Sequence, residues 1–240
     1  MQTLEAAIGY AERRQAANSR LLYAVYERLF ARNGPQHWWP AESPLEMAIG
    51  AILTQSTAWA NVAKAIANLR AAAALSVPAL QALPEADLAE IIRPSGYFRA
   101  KARKVKAFIA TLVAEYGGDL GNLLALPTPV LRERLLAVHG VGPETADSIA
   151  LYAGGHPVFV VDAYTRRIFS RLGLVDEKVS YEGLQALFSA HLPADARLCN
   201  EYHALIVRHG KEVCRKRPLC GECVLADLCT RKEGRDSSEC

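Results

Sequence analysis

Apolar residues recur every three or four positions over most of the chain, which is the spacing of helices that bury one face. Ala, Leu, Arg and Glu dominate these segments, and all four favour helix. The pattern predicts helices over residues 9–31, 44–55, 57–72, 86–92, 98–115, 128–137, 143–153, 163–171, 180–190 and 196–210. The one strand-like run, Val158 to Val161, is too short and solitary for a sheet. We therefore predict an all-α fold.

Residue types at the predicted helix ends support these boundaries. Ser43 and Pro44 suit the cap and the first position of a helix. Asp162 suits the cap of the helix that follows it, and Gly173 follows the end of that helix. The segment after Cys229 is polar, and we expect it to be frayed.

Length and composition restrict the class of protein. A chain of 240 residues can form one domain or two lobes with a sizeable core. It contains no run of about eighteen apolar residues and no basic, apolar, cleavable leader, so we expect neither a membrane span nor secretion. The formal net charge of +3 is too small to indicate a nucleic-acid partner by itself.

Local charge is more informative than total charge. Cations cluster at two places, namely Arg99, Lys101, Arg103, Lys104 and Lys106, and then Lys211, Arg215, Lys216 and Arg217. Each cluster is either a solvated helix face or a surface that neutralises phosphates.

The stretch from Leu135 to Arg171 carries the strongest chemical signal. Gly140-Val141-Gly142, directly after His139, forms a turn between two predicted helices, and backbone N–H groups at such a turn can bind a phosphate. Asp162 lies 18 residues beyond Glu144 and opens the next helix. An aspartate there is commonly a cap, but the same position also stabilises an ionised carboxylate. A phosphate anchor near a carboxylate suits an enzyme that acts on a nucleotide within a strand.

Four cysteines near the C-terminus have the spacing of a metal centre. Cys214, Cys220, Cys223 and Cys229 form the pattern C-x5-C-x2-C-x5-C. Four thiolates this close can surround zinc or an iron–sulfur cluster, and the spacing alone does not decide between them. Disulfides are unexpected without a secretion signal. Cys199 and Cys240 remain as ordinary thiols.

All three tryptophans, Trp38, Trp39 and Trp59, flank the segment that contains Gln55. Tryptophans commonly pack in a core, yet two adjacent ones cannot easily both face inward. The alternative is an aromatic pocket, whose ring faces attract cations such as N-alkylated purines. Tyr97 has the same two interpretations, core or cleft.

These motifs resemble the helix-hairpin-helix DNA glycosylase superfamily, to which endonuclease III belongs. The resemblance rests on GVGPETA, on VFVVDAYTRRI, on Pro44 through Gln55, and on the cysteines. It implies a two-lobed fold, with a six-helix barrel lobe over residues 41–155 and an iron–sulfur lobe formed by 1–40 and 156–240. It implies a [4Fe–4S] cluster on the four cysteines, although well-known members have six residues in the first gap. The hairpin turn in this family can also hold a monovalent cation through backbone carbonyls.

The resemblance also assigns roles to side chains. Asp162 is expected to be catalytic and to stabilise positive charge on the deoxyribose, and Gln55 to fill the gap left by a flipped nucleotide. Bifunctional members carry a lysine at the position of Glu144, and a glutamate cannot form a Schiff base. The remaining DNA contacts are expected at His139, Gly140, Val141, Gly142 and Lys101.

The sequence therefore predicts a monofunctional base-excision DNA glycosylase that acts on double-stranded DNA containing a damaged base. The WWP…ILTQST.W pattern most resembles the 3-methyladenine glycosylase branch, which favours an alkylated purine as substrate. Two alternatives stay open: a glycosylase for oxidised pyrimidines or mismatched bases, and a non-catalytic protein that binds damaged DNA. We expect a monomer that is cytoplasmic and associated with the nucleoid.

Overall fold

The computed structural model describes residues 2–230, with side chains from residue 15 onward. It divides into two compact units. The central unit is Trp39–Val158, and the terminal unit combines Met1–Trp38 with Phe159–Cys240. The sequence-based boundaries, 41–155 against 1–40 and 156–240, differ from these by two or three residues. Cys240 and the tail predicted to fray lie outside the described residues, apart from Thr230.

Every element in the described range is helical. The α-helices are α1 Gln2–Asn33, α2 Pro44–Leu53, α3 Trp59–Ala71, α4 Val77–Ala82, α5 Glu85–Ile91, α6 Phe98–Tyr116, α7 Leu120–Leu124, α8 Thr128–Ala137, α9 Pro143–Ser148, α10 Ala163–Arg171, α11 Tyr181–His191 and α12 Ala196–Glu212. Single 3₁₀ turns lie at Arg93–Ser95, Cys220–Glu222 and Ala226–Leu228, and α9 continues as a π-helical turn, Ile149–Ala153. The all-α prediction is confirmed, and Val158 to Val161 forms neither a helix nor a strand.

The central unit holds α2 to α9 around one apolar core. Its largest fully buried side chains include Phe108 of α6 and Ile49, Ile52 and Leu53 of α2. The six helices predicted from periodicity in this region are all present. The two that were missed, α4 and α7, have six and five residues, which is too short for a repeating apolar pattern.

The terminal unit packs α1 against α12 and α11, and α10 against α12. Stacked and edge-to-face rings of Phe159, Phe169, Phe188 and Tyr202 form its centre. The hydroxyl of Tyr202 in α12 donates to the carbonyl of Leu22 at 2.8 Å, and this bond connects α12 to α1. Among the helices that the structure describes, none combines the length and apolar character needed to cross a bilayer.

Candidate functional site

Asp162 caps α10 and is held by a capping box. One carboxylate oxygen, Oδ1, accepts from the backbone N–H of Thr165 at 2.7 Å and from its hydroxyl at 2.8 Å. The side chain of Asp162 is 12% exposed. The predicted cap is therefore confirmed. Because Oδ1 is used by the cap, the carboxylate has a fixed orientation, and Oδ2 is the oxygen that the capping bonds do not use.

His203 of α12 is the neighbour of Asp162 that sequence reasoning missed. Its Nε2 lies 3.8 Å from Oδ2 of Asp162, and the imidazole is buried. Burial lowers the pKa of His203 more than the nearby carboxylate raises it. No local motif links the two residues, which are 41 positions apart in the sequence.

The predicted hairpin turn connects α8 to α9. Gly140 has φ +81°, and a Cβ there would lie only 2.4 Å from Cγ of Lys104. Glycine is required at this position both by the backbone conformation and by the lysine that crosses it. Val141 is buried, His139 is exposed, and Gly142 begins α9 without a side-chain cap. Glu144 is exposed in the first turn of α9.

The side chain of Gln55 is hydrogen-bonded to this turn. Its Nε2 donates to the carbonyl of Gly140 at 3.1 Å and to the hydroxyl of Thr145 at 2.9 Å. Its Oε1 accepts from the ammonium of Lys104. The structure therefore brings together two of the predicted DNA-contacting elements, the Gln55 segment and the hairpin, which are 85 residues apart in sequence.

The prediction of Lys101 as a DNA contact needs correction. Its side chain is only 2% exposed. The ammonium donates to the carbonyls of Leu53 at 2.8 Å and Ser95 at 2.6 Å. Burial, and secondarily the charge of Lys104, lowers the pKa of Lys101 to about 8. In this structure Lys101 joins two chain segments and does not reach the surface.

The tryptophans fall in different units. Trp39 and Trp59 of the central unit lie edge to face with ring centres 4.9 Å apart, and Tyr152 lies 5.5 Å from Trp39. The Trp39 ring packs against α2 at Gly50, where an added Cβ would make an ordinary van der Waals contact of 3.5 Å with the ring. Tyr152 was not predicted and belongs to the π-helical turn, a feature frequent at functional sites.

Trp38 belongs to the terminal unit, where the ammonium of Lys211 lies 5.6 Å from its ring centre. Trp38 and Trp39, both predicted to line one base pocket, therefore contact different side chains, Lys211 for Trp38 and Trp59 for Trp39. Tyr97 is 75% exposed with φ +45°, so the core interpretation of this tyrosine is wrong.

The two basic clusters differ in how many of their cations remain exposed. In the first, Arg99 and Arg103 are exposed, whereas the ammonium of Lys106 donates to the carbonyls of Leu80, Gln81 and Leu83 at the end of α4. In the second, all four cations are exposed. The second cluster is the larger exposed cationic surface.

The four clustered cysteines lie in one loop after α12, and none of them forms a disulfide bond within the described part of the chain. Burial is the largest cause that raises the pKa of Cys223, and the nearby sulfurs of Cys214 and Cys229 raise it further. Among the described side chains, no three potential ligands are close enough to hold a single metal ion. Four cysteine thiolates are a ligand set for structural zinc and for iron–sulfur clusters alike.

Cationic side chains from two helices hold this cysteine loop. Arg171 of α10 donates to Sγ of Cys214 at 3.3 Å and to the carbonyl of Arg215 at 2.7 Å. Arg167 donates to the carbonyl of Cys214 at 2.8 Å. From α1, Arg28 and Arg32 donate to the carbonyls of Val224 and Glu222. The helix α10, which Asp162 caps, therefore also holds the cysteine loop in place.

His209 completes the surroundings of the cysteines. Its Nε2 lies 3.5 Å from Sγ of Cys223, and burial lowers its pKa to about 4. A neutral imidazole and an arginine beside the sulfurs are groups that can donate hydrogen bonds to thiolates. The four cysteine sulfurs, with Arg171 and His209 beside them, thus fit an iron–sulfur cluster.

Comparison with known proteins agrees with this geometry. Residues 49–194 match the family of HhH-GPD superfamily base excision DNA repair proteins, and residues 215–229 match the iron–sulfur binding domain of endonuclease III. The chain is 44% identical to the Methanocaldococcus jannaschii protein named "Putative DNA repair glycosylase MJ1434", over 88% of this chain and 97% of that one. It is 32% identical to endonuclease III of Thermotoga maritima, over 80% of this chain and 86% of that one.

A solved structure is similar over a comparable length. The 3-methyladenine DNA glycosylase of H. pylori, bound to 1,N6-ethenoadenine, superposes with a TM-score of 0.70 and 27% identity, covering 81% of this chain and 97% of that one. The chain belongs to the HhH-GPD superfamily of base excision DNA repair proteins. Within it, the chain is a DNA glycosylase of the endonuclease III type that carries an iron–sulfur binding domain.

Proposed function

We propose that this protein is a monofunctional DNA glycosylase that removes an alkylated purine from double-stranded DNA and leaves an abasic site. The observation that carries the proposal is the carboxylate of Asp162, which is held by one oxygen and retains the other. An ionised carboxylate fixed in this way stabilises positive charge that develops on the deoxyribose as the N-glycosidic bond breaks. It also orients the attacking water.

Glu144 supports the absence of lyase chemistry. A carboxylate at the first turn of α9 cannot form the Schiff base through which bifunctional relatives cleave the strand. Water is then the nucleophile, and the phosphodiester next to the abasic site stays intact.

The aromatic cluster of Trp39, Trp59 and Tyr152 supports the alkylated purine as substrate. An N-alkylated purine is cationic, is attracted to ring faces, and is already a good leaving group. For the release of such a base, stacking and a single carboxylate are more important than a general acid that protonates the leaving group. The H. pylori relative is named a 3-methyladenine DNA glycosylase, and this name is consistent with the choice.

DNA binding is assigned to the hairpin turn with Gln55, and to the exposed cations of the cysteine loop. Backbone N–H groups at the turn suit a phosphate, and Arg215, Lys216 and Arg217 supply positive charge beside a second phosphate. Cys214, Cys220, Cys223 and Cys229 would hold a [4Fe–4S] cluster, which supplies a rigid support for this loop when bound. A monovalent cation at the hairpin, a monomeric state and a location at the nucleoid stay predictions.

A panel of lesions tests the substrate. Duplexes of one sequence would carry an N-methylated purine, 1,N6-ethenoadenine, an oxidised pyrimidine or a mismatched base, and base release would be measured for each. We expect the alkylated purines to be released fastest. Preferential release of the oxidised pyrimidine or the mismatched base would contradict the proposal, and tight binding of abasic DNA without any base release would favour a non-catalytic binder.

A further inference from the structure

Lys101 is a buried cation that joins the ends of two helical segments. Its ammonium donates to the carbonyl of Leu53, the last residue of α2, and to that of Ser95, the last residue of a 3₁₀ turn. Carbonyls at helix C-termini lack partners within the helix and favour a cation. The side chain is 2% exposed, so its function is internal to the central unit.

Leu53 and Ser95 each lie two positions before a residue of interest. The first of these residues reaches the hairpin turn, and the second is exposed. Gln55 follows Leu53, and its carboxamide reaches Gly140. Tyr97 follows Ser95 and is 75% exposed. Both segments have strained backbones: φ is +53° at Ser56 and +45° at Tyr97. Residues in this conformation persist only where the surroundings hold them.

We propose that Lys101 is a positioning residue that holds the Gln55 segment and the Tyr97 segment at a fixed separation for binding damaged DNA. This inference rests on the proposed function, because it takes the Gln55 segment to contact DNA. Lys101 itself does not contact the substrate. Its replacement is expected to loosen the Gln55 segment and the Tyr97 segment together, and to affect affinity more than the rate of base release.

Lys106 provides a matched control on the same helix. Its ammonium donates to the carbonyls of Leu80, Gln81 and Leu83 at 2.8–2.9 Å, at the end of α4. The chemistry is the same, a lysine of α6 on helix-terminal carbonyls. The segment that it holds carries neither Gln55 nor Tyr97. A general loss of stability should therefore follow from either replacement, and a loss of affinity only from the replacement of Lys101.

The experiment compares Lys101→Met and Lys106→Met with the wild-type protein. The Kd for a duplex with an abasic-site analogue, the single-turnover rate of base release at saturating protein, and amide hydrogen exchange are measured for each. For Lys101→Met we expect a Kd about tenfold higher, a single-turnover rate within about threefold of the wild-type rate, and faster exchange confined to residues 54–57 and 95–98. Lys106→Met is expected to keep the wild-type Kd.

Unchanged Kd and unchanged exchange in Lys101→Met would overturn the proposal, and so would an equal loss of affinity in Lys106→Met. If Lys101→Met gives no folded protein, Lys101→Gln is the test: its side chain is neutral and one atom shorter, so a raised Kd is expected and a wild-type Kd overturns the inference. Wild-type protein that binds the analogue but releases no base would contradict the proposed function alone, because Kd and exchange do not depend on turnover.

Discussion

Both units attach loops to helices through cationic side chains, but they use different residues for it. In the central unit, lysines of α6 donate to carbonyls that converge on one point, as Lys106 does at the end of α4. In the terminal unit, arginines span groups spread along the cysteine loop, as Arg171 does from Cys214 to Lys216. An ammonium is a compact charge that suits a cluster of carbonyls, whereas a planar guanidinium reaches several separated acceptors.

This difference teaches that a basic cluster in a sequence has more than one use. In the first cluster, Lys101 and Lys106 hold carbonyls inside the fold, and Arg99 and Arg103 remain exposed. In the second, Lys211 lies in the last turn of α12, the other three cations lie on the loop that is held, and all four are exposed. Under the proposed function, the central unit supplies the hairpin turn, Gln55 and the aromatic cluster, and the terminal unit supplies the carboxylate of Asp162 and the cations of the cysteine loop. Changes in the two units should therefore have separable effects.

The largest expected effect is that of Asp162→Asn, in the terminal unit, on the rate of base release. We expect single-turnover base release to fall at least about 10²-fold, because the negative charge beside the sugar is lost. The Kd for DNA should change little. Asp195→Asn is the matched control, since Asp195 also caps a helix of this unit, accepting from the N–H groups of Arg197 and Leu198. Equal rates in the two variants would remove Asp162 from the mechanism.

Arg171→Met should weaken the attachment of the cysteine loop to α10. The variant loses donors to Sγ of Cys214 and to two backbone carbonyls, so we expect the free energy of unfolding to fall by about 1–3 kcal/mol and the visible absorbance of the cluster to bleach sooner. Arg208→Met is the control, because Arg208 is exposed and its bonds to Glu212, Asn33 and Gln36 are long, at 3.3–3.4 Å, and we expect a loss below about 1 kcal/mol. Equal bleaching in both variants would argue against a special role of Arg171.

Gln55→Ala tests recognition in the central unit. The variant loses the bonds to Gly140 and Thr145, and with them the side chain proposed to fill the gap in the DNA. We expect the Kd for an abasic analogue to rise about five- to tenfold, with a smaller effect on the rate at saturation. Gln81→Ala, at an exposed position of α4, should leave both values unchanged. A wild-type Kd for Gln55→Ala would contradict the assignment.

The smallest expected effect is a pH dependence of stability from His203. Burial lowers its pKa in the folded protein, so the unfolded chain takes up a proton at a higher pH than the folded one. The free energy of unfolding should therefore fall as the pH drops below about 6.5. His203→Gln should make this decline shallower, whereas His139→Gln, at an exposed position, should not. The free energy of unfolding would be measured by urea titration at several pH values. An equal decline with falling pH in the wild-type protein and in His203→Gln would contradict this role of His203.

Periodicity and capping residues were sufficient to predict the long helices, because an amphipathic helix of three turns repeats its pattern several times. The cap at Asp162 and the turn at Gly140 were also predictable, since both depend on local backbone geometry. The contact of His203 with Asp162 and the burial of Lys101 were not. Each depends on partners far along the chain, and a lysine in a basic cluster has the same sequence signal whether it is exposed or buried.

Strand integrity after base release tests the central claim most directly. Wild-type protein would be incubated with a duplex carrying one N-methylated purine, with and without borohydride, and the strand would be analysed before and after treatment with alkali. The account predicts that the base is released, that the strand breaks only after alkali, and that borohydride traps no covalent complex. Strand cleavage without alkali, together with a trapped complex, would contradict the assignment of Asp162 and water as sufficient for the reaction.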